Sequence, residues 1–256
     1  MSVSHFLLRI LVVLLCALAP LSGHAAHPLI TEDTGTQGQG HFQLELTSEH
    51  ATLRESGTNQ LSALTTTAFS YGAVNNADVI LTLPYLRLGH TVTNDTPGAS
   101  GLADIGLDVK WRFYEKDKLS FALKPGITIP TGDDTRNLGT GRYTWSAYLT
   151  ASYETAPWTW LLHLGHVHHN NTFSERVDIW HASAAVVRHL GDSLKFILDT
   201  GIDTNTNHDA KSDPLFLITG FIYSPRQNFD LDVGYKLESA DSWRARTLLA
   251  GLTLRW

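Results

Sequence analysis

The stretch Gly101-Leu-Ala-Asp-Ile-Gly-Leu-Asp-Val-Lys-Trp-Arg-Phe-Tyr114 alternates between apolar and polar side chains. The odd positions from Ala103 to Phe113 are apolar, and the even positions between them are charged or small. A period of two sends successive side chains to opposite faces of a β-strand. The segment from Phe229 to Glu238 repeats the pattern. Both stretches therefore predict strands with one lipid-like face and one wet face.

The rest of the chain fits the same template and gives about twelve segments, each near the roughly 9–11 residues that cross a bilayer as a tilted strand. The predicted spans are 40–54, 60–72, 77–90, 101–114, 118–130, 141–154, 157–169, 176–190, 193–204, 214–224, 228–239 and 244–256. The segments 77–90 and 176–190 are ambiguous, so their registers stay unassigned.

Tight turns alternate with longer polar loops along these segments. The long connections are 91–100, 131–140, 169–175 and 204–213. In outer-membrane barrels the short turns are periplasmic and the long loops extracellular. The alternation therefore predicts that both termini are periplasmic.

Lipid cannot hydrogen-bond exposed backbone groups, so a sheet in a membrane must have no free edge. The fold class predicted is all-β, a closed antiparallel transmembrane barrel. Twelve strands enclose more space than side chains fill, which predicts a lumen wide enough for small solutes only.

The N-terminus has the features of a secretory signal peptide. Arg9 precedes an apolar run from Ile10 to Ala19, and Gly23 and Ala25 supply small residues for cleavage after Ala25. The predicted organisation is a signal peptide at 1–25, a periplasmic leader or small plug at 26–40, and an outer-membrane barrel at 41–256. Glu32 and Asp33, followed by glycines, are the residues expected to enter the lumen as a plug.

Composition excludes several classes of function. The one cysteine, Cys16, lies in the predicted signal, so disulfides, thiolate metal sites and a cysteine nucleophile are not expected in the exported part. The net charge of −6 argues against a nucleic-acid partner. No cofactor is predicted.

The last segment ends on an aromatic residue. Leu248, Ala250, Leu252 and Leu254 occupy alternate positions before the terminal Trp256. This ending is similar to the signal by which outer-membrane barrels are recognised, and it predicts the barrel-assembly machinery as a partner, with outer-membrane lipid around the barrel. An edge strand of a soluble sandwich is the alternative.

Three stretches resemble the family of outer-membrane transporters named after the MetA pathway of phenol degradation. They are Pro28 to Gly40, Gly101 to Glu115, and Ala122 to Asp133 with Leu138 to Arg142. The resemblance implies a barrel and uptake of small hydrophobic or aromatic compounds as cargo. It offers no catalytic motif.

Twelve charged residues fall on the polar side of their predicted strands, because a charge on the lipid face costs roughly 2–4 kcal/mol near the midplane. They are expected to line the lumen, either as packed ion pairs or as selectivity determinants. The set is Glu45, Asp104, Asp108, Lys110, Arg112, Lys124, Asp199, Asp230, Asp232, Lys236, Arg244 and Arg246.

Proline removes a ladder donor, so Pro84 and the pair Pro125-Gly126 are candidates for kinks in the wall. The plain interpretation is a bulge that bends the wall. The sharper one is a lateral opening toward lipid for hydrophobic cargo.

Histidines gather near the seventh and eighth segments and are expected at a solvated rim rather than at a metal site. They are His163, His166, His168, His169 and His181, with His50 and His90.

The predicted function is an outer-membrane channel or transporter for small molecules. One alternative is an outer-membrane lipid-modifying hydrolase, for which Ser174 with His168 or His169 are the candidates. The other is a structural barrel without cargo.

Overall fold

The computed structural model describes residues 27–55, 58–89 and 98–256. Nearly all regular structure in these ranges is β, apart from a short 3₁₀ helix at Asp134–Arg136. The strands β1 to β13 are, in order, Phe42–Glu55, Thr58–Val74, Ala77–Leu88, Ala99–Leu102, Ile105–Lys116, Leu119–Ile129, Thr144–Thr155, Trp158–His168, Asp178–His189, Leu194–Asp203, Leu215–Arg226, Phe229–Ser239 and Trp243–Arg255. The predicted signal peptide lies outside the described residues and stays a prediction.

All strand pairs are antiparallel, and the sheet closes on itself. Each strand from β5 to β12 pairs with the next, β13 pairs with β1, and the pairs β1–β2 and β2–β3 complete the ring. The short β4 and the longer β5 both pair with β3, one beyond the other, and form a single interrupted wall strand. The wall therefore has twelve strands, and the predicted all-β antiparallel barrel is confirmed.

The two faces of the wall differ as the alternation predicts. On β5 the outward residues Leu107, Val109 and Trp111 are 41–48% exposed, whereas Lys110, between them, is 7% exposed and faces inward. Outward aromatic side chains include Trp145, Trp160 and Trp180. Every backbone group of a closed ladder pairs within the sheet, so an apolar outer band can lie in lipid.

The long connections 130–143, 169–177 and 204–214 lie at one end of the barrel, together with the short connection 240–242. The end that carries the two-residue connections at 75–76, 117–118, 156–157 and 227–228 is called the turn end, and the opposite end is called the loop end. Which end faces the periplasm stays a prediction. No helix among the described residues has the length and hydropathy of a transmembrane helix.

The expected kink at Pro84 corresponds to a break in the neighbouring strand. Between the pairs Thr82↔Gly106 and Tyr85↔Leu102, β3 advances three residues while its partner strand advances four. The extra residue lies at the gap between β4 and β5, where the Ala103 N–H donates to the Pro84 carbonyl. Proline has no N–H for a regular ladder, which is consistent with the interruption at this site.

At Pro125 and Gly126 the expected bulge is absent. The β6–β7 register runs through both residues without a shift, and the β5–β6 register is the same on either side of them. Proline there removes a donor but inserts no residue, so the wall is not offset. The Asp108 carboxylate lies against Gly126, so a side chain at position 126 would collide with Asp108 Oδ1.

The terminal Trp256 lies at the seam between the first and last strands. Phe42 and Trp256 exchange two backbone hydrogen bonds of 2.8 and 3.1 Å. The indole stacks on the Phe42 ring at 5.8 Å and lies 6.2 Å from the Phe69 ring. The last residue of the chain therefore completes the closure at the turn end.

Candidate functional site in the lumen

The chain before β1 lies inside the barrel. Residues 27–37, called here the lumenal segment, form hydrogen bonds or ion pairs with side chains of β3, β5, β6, β7, β9, β10 and β12. Thr31, Thr34 and Thr36 are all buried. The segment therefore crosses the lumen and contacts most of its circumference.

One side of the segment is held by an acidic wall. Asp199 of β10, which is 0% exposed, accepts the Ile30 N–H at 2.7 Å and the Thr31 N–H at 2.9 Å. The Thr31 hydroxyl lies 2.6 Å from the second Asp199 oxygen and 2.7 Å from the Ser183 hydroxyl. The His27 ring pairs with Asp232 of β12. Buried polar groups need such partners, so the segment and the wall satisfy each other.

The opposite side of the segment meets a basic wall. Glu32 pairs with Lys124 of β6, and Asp33 Oδ1 lies 3.1 Å from Lys110 Nζ of β5. Glu32 also lies 3.9 Å from Lys110. These side chains are only 9–22% exposed, so breaking a pair would leave two charges with little access to water. The segment is thus an electrostatic bridge between walls of opposite charge.

The remaining contacts carry the segment toward β1. The Thr34 N–H donates to the Ser152 hydroxyl at 3.1 Å, and the Thr34 hydroxyl lies 2.5 Å from that of Ser120. The Gln37 N–H donates to both oxygens of Asp78, a residue of β3 that is 2% exposed.

An apolar cluster fills much of the remaining interior. Leu29 and Ile30 of the lumenal segment pack on inward side chains of β8 to β11 and β13, which are Leu161, Ala185, Val187, Ile197, Phe216, Ile218, Ile222 and Leu249. This is a correction to the expectation of a uniformly wet inner face. Once the segment occupies the lumen, inward positions face protein rather than water, and apolar residues gain from burial there.

A cavity of about 270 Å³ lies beside the lumenal segment. Leu29, Leu161, Val187 and Ile222 form an apolar side. Its polar side is formed by Asp33, Arg112, Glu115, Glu154 and Lys195, among others. Pockets with an apolar body and a few polar groups suit small organic molecules.

Residues 131–140 form a loop that folds inward at the loop end, beside Asp104. Asp104 accepts the Gly132 N–H at 2.9 Å, the Thr140 N–H at 2.7 Å and the Thr140 hydroxyl at 2.8 Å. Leu138, in the middle of this loop, is 2% exposed and lies against Gly101 of the inner wall. Asp104 therefore holds the loop inward and is not a free lumenal charge.

Ten of the twelve predicted lumenal residues face inward, and several are paired. Asp230 lies 2.8 Å from Arg255, which also donates to Gln43. Gln43 in turn donates to Glu45 at 2.6 Å. The inward residues are Glu45, Asp104, Asp108, Lys110, Arg112, Lys124, Asp199, Asp230, Asp232 and Lys236. Any role in selectivity stays a prediction.

Arg244 and Arg246 face outward, which corrects the prediction for both. They lie on the same face of β13 as Leu248 and Leu254, which are 60% and 40% exposed. The residues of the opposite, inward face, Ala245, Thr247 and Leu249, are buried. Both arginines lie at the loop end of β13. A charge there is tolerated because the penalty falls to about 0–1 kcal/mol near the membrane interface.

The histidines divide between the two faces. His166 and His168 are outward at the loop end and lie 3.2 and 3.1 Å from Asp178. His163 and His181 face the lumen, with ring centroids 5.1 Å apart, which corrects their predicted place at a rim. Within the described ranges, no group of three or more His, Cys, Asp or Glu side chains is arranged to hold a metal. His90 lies outside those ranges.

In the loop that suggested the hydrolase alternative, His169 pairs with Glu175 and His168 pairs with Asp178. Among the described residues, Ser174 makes no hydrogen bond to either histidine. A different Asp–His–Ser chain occurs in the lumen: Asp203 lies 2.7 Å from His181 Nδ1, whose Nε2 lies 2.8 Å from Ser183. The Ser183 hydroxyl also bonds to the Thr31 hydroxyl, so this chain of side chains ends on the lumenal segment.

The anchors of the segment were missed by sequence reasoning. Thr31, Ser183, Asp78 and Ser152 are small polar residues of ordinary strands and leaders. The available signal was the run of hydrogen-bonding residues from Thr31 to Gln37, which is dense for a disordered leader.

Comparison with known proteins gives one family and a set of barrels. Residues 30–256 match the family described as "Putative MetA-pathway of phenol degradation". The match covers the lumenal segment from Ile30 onward as well as the barrel. Among curated proteins, none matches the chain.

Solved outer-membrane barrels share the fold. The COG4313 outer membrane channel from Pseudomonas putida F1 superposes with a TM-score of 0.72 at 14% identity, over 88% of this chain and 98% of that chain. For the NanC porin the values are 0.59, 10%, 82% and 98%. For the CymD monoaromatic hydrocarbon channel they are 0.52, 9%, 86% and 89%. At these identities the likeness shows the fold.

Proposed function

From the premise that this chain belongs to the family described as "Putative MetA-pathway of phenol degradation", we propose that it is an outer-membrane channel for small molecules, closed at rest by its own lumenal segment. The proposal includes export through the predicted signal peptide, insertion by the barrel-assembly machinery and periplasmic termini. The barrel fold shared with outer-membrane channels supports this location.

The observation that carries the proposal is the manner in which the segment is held. The segment is held by hydrogen bonds to Asp199 and by ion pairs with Lys110 and Lys124. Water can replace each of these partners once the segment leaves the lumen. A plug held by covalent bonds or by apolar contacts alone would have no partners that water could replace. Displacement of the segment would expose a lumen with acidic and basic walls, which fits a small-solute pathway.

The cargo class we propose is a small aromatic compound with one polar group. The cavity beside the segment joins an apolar side at Leu161 and Val187 to a polar side at Arg112 and Lys195. A phenol presents the same two faces, an apolar ring and a hydrogen-bonding oxygen. The family description and the monoaromatic cargo named for CymD point to the same class, although the CymD likeness by itself concerns the fold.

Uptake by cells with an intact outer membrane tests this function. Cells that produce the protein are expected to take up labelled phenol faster than cells without it, and an inward bulky residue at Thr159→Phe should reduce the gain because Thr159 lines the cavity. Thr159→Ser is the matched control. Uptake of a labelled hexose tests selectivity, because an unselective pore would pass hexose as well as phenol. Equal phenol uptake with and without folded protein would contradict the proposal and favour a structural barrel without cargo.

A further inference from the structure

Three arginines on the outer face form a basic patch at the loop end of the β13–β1 seam. Arg54 of β1 and Arg244 of β13 are direct register partners, and Arg246 is paired with Thr52 one step nearer the turn end. All three side chains are exposed. They are called here the arginine patch.

These charges have no direct partner in the described part of the protein. None of the three guanidinium groups makes a hydrogen bond or ion pair with a residue that the structure describes. Like charges placed directly opposite one another on a sheet are destabilising. An external anion between Arg54 and Arg244 would remove this repulsion.

The patch surrounds a cavity of about 520 Å³. The lining is mostly polar and includes one carboxylate: Thr52, Arg54, Asn59, Ala240, Asp241, Ser242, Trp243, Arg244 and Arg246. Asp241 makes no ion pair with the arginines, and its backbone N–H donates to the Ser212 hydroxyl. Three guanidinium groups present planar forks of donors that match phosphate oxygens.

The height of the patch corresponds to lipid headgroups. Phe42 belongs to the aromatic cluster at the turn end. Thr52, the partner of Arg246, lies ten positions further along β1. At about 3.3 Å per residue and a tilt near 40°, these residues rise about 25 Å, the usual height of the apolar band of such barrels. Arg54 lies two residues beyond Thr52, farther from the turn end.

Beneath the patch the wall is apolar on the β12 and β13 side, whereas the outward residues of β1 there, Thr52 and His50, are polar. Leu248 is 60% exposed and Leu237, the outward partner of Arg246 on β12, is 43% exposed. A free phosphate ion would use the arginines alone, whereas a lipid would also cover these leucines with its acyl chains.

We propose that the arginine patch binds the phosphorylated headgroup of a membrane lipid in the leaflet at the loop end, with the acyl chains on Leu237 and Leu248. The proposal rests on the membrane location proposed above but not on transport. The lipid would neutralise the Arg54–Arg244 contact and tie β13 to β1 at the seam.

Lipid binding by the purified full chain in neutral detergent tests the proposal. Lipid A, a glycolipid with two phosphates, is added to wild type and to Arg54→Gln/Arg244→Gln/Arg246→Gln, and retained lipid is counted by native mass spectrometry. The triple variant is expected to bind at least about tenfold more weakly. Arg246→Gln alone should show a smaller loss, which keeps the test valid if the triple variant folds poorly.

Arg188→Gln is the matched control, because Arg188 lies over the Trp158 ring near the opposite end of the outer face. It should bind lipid A as wild type does. Dephosphorylated lipid A should bind wild type no more tightly than it binds the patch variants. Inorganic phosphate should compete only weakly with lipid A.

Equal lipid A binding by wild type and both patch variants would overturn the proposal, as would equal binding of the dephosphorylated lipid. Full competition by inorganic phosphate would show an ion site rather than a lipid site. Failure of the channel function would appear instead as absent conductance in a protein that still binds lipid A.

Discussion

Thr31 and Asp199, 168 residues apart in the chain, make two hydrogen bonds inside the barrel. The Thr31 N–H donates to Asp199 at 2.9 Å, and the Thr31 hydroxyl lies 2.6 Å from the other carboxylate oxygen. Both residues are 0% exposed. This contact fixes the middle of the lumenal segment to the wall.

Loss of either partner should release the segment. Asp199→Asn and Thr31→Val each remove buried hydrogen bonds of about 1–3 kcal/mol, so the population with a displaced segment should rise about tenfold. Leu29→Cys provides a reporter, since the one natural cysteine lies in the predicted signal. Maleimide should label Leu29→Cys faster in both backgrounds. Thr200→Val, on the outer face, is the control, and unchanged labelling in the Asp199→Asn background would refute the anchoring role.

The ion pair between Glu32 and Lys124 should behave as a reversible latch. Glu32→Lys and Lys124→Glu should each speed the same labelling, because each places like charges together. The double exchange should recover part of the protection; recovery stays incomplete because Lys110 lies 3.9 Å from Glu32. Lys236→Gln is the control, since Lys236 pairs with Glu238 in the wall. If the increase in labelling rate of the double variant equals the sum of the increases in the two single variants, Glu32 and Lys124 are not coupled.

Ion selectivity should follow the walls once the segment is displaced. In an Asp199→Asn barrel, Lys110→Gln with Arg112→Gln should shift the reversal potential toward cation preference, and Asp108→Asn should shift it toward anions. Both shifts should fade in molar salt, where screening acts within about 3 Å. Asp104→Asn should leave the reversal potential unchanged, because Asp104 holds the loop 131–140. Reversal potentials insensitive to Lys110 and Arg112 would show that these residues do not line the path.

Trp256 should matter for assembly of the barrel. Trp256→Asp removes the ring contacts with Phe42 and Phe69 and places a charge on the apolar face, whereas Trp256→Phe keeps an aromatic ring. The fraction of protein whose gel migration changes on boiling measures closed barrel. It should fall sharply for Trp256→Asp and little for Trp256→Phe. An equal fraction in both variants would remove the role assigned to the terminus.

The wall could be predicted from sequence because the period of two is local. The alternation from Ala103 to Phe113 determines which side chains share a face before any partner strand is known. Pairing of the lumenal segment is not local in this sense. Nothing near Thr31 in the sequence points to Asp199, so the choice between plug and leader needed the folded chain.

Arg244 and Arg246 show where the rule that charges face inward fails. The rule depends on the cost of a charge in hydrocarbon, and that cost nearly vanishes at the ends of a strand. Alternation counted back from Leu248 and Leu254 would have placed both arginines outward. The period was the better guide than the charge at this end of the barrel.

The most direct test of the account is the conductance of single barrels in a planar bilayer, for the wild-type chain and for Asp199→Asn/Lys124→Gln. Heat-dependent gel migration first establishes that both are folded. Wild type is expected to stay closed for most of the recording, and the variant is expected to open often, with a conductance several-fold above the resting level. A wild-type barrel as open as the variant, or a variant that never opens, would contradict closure by the lumenal segment.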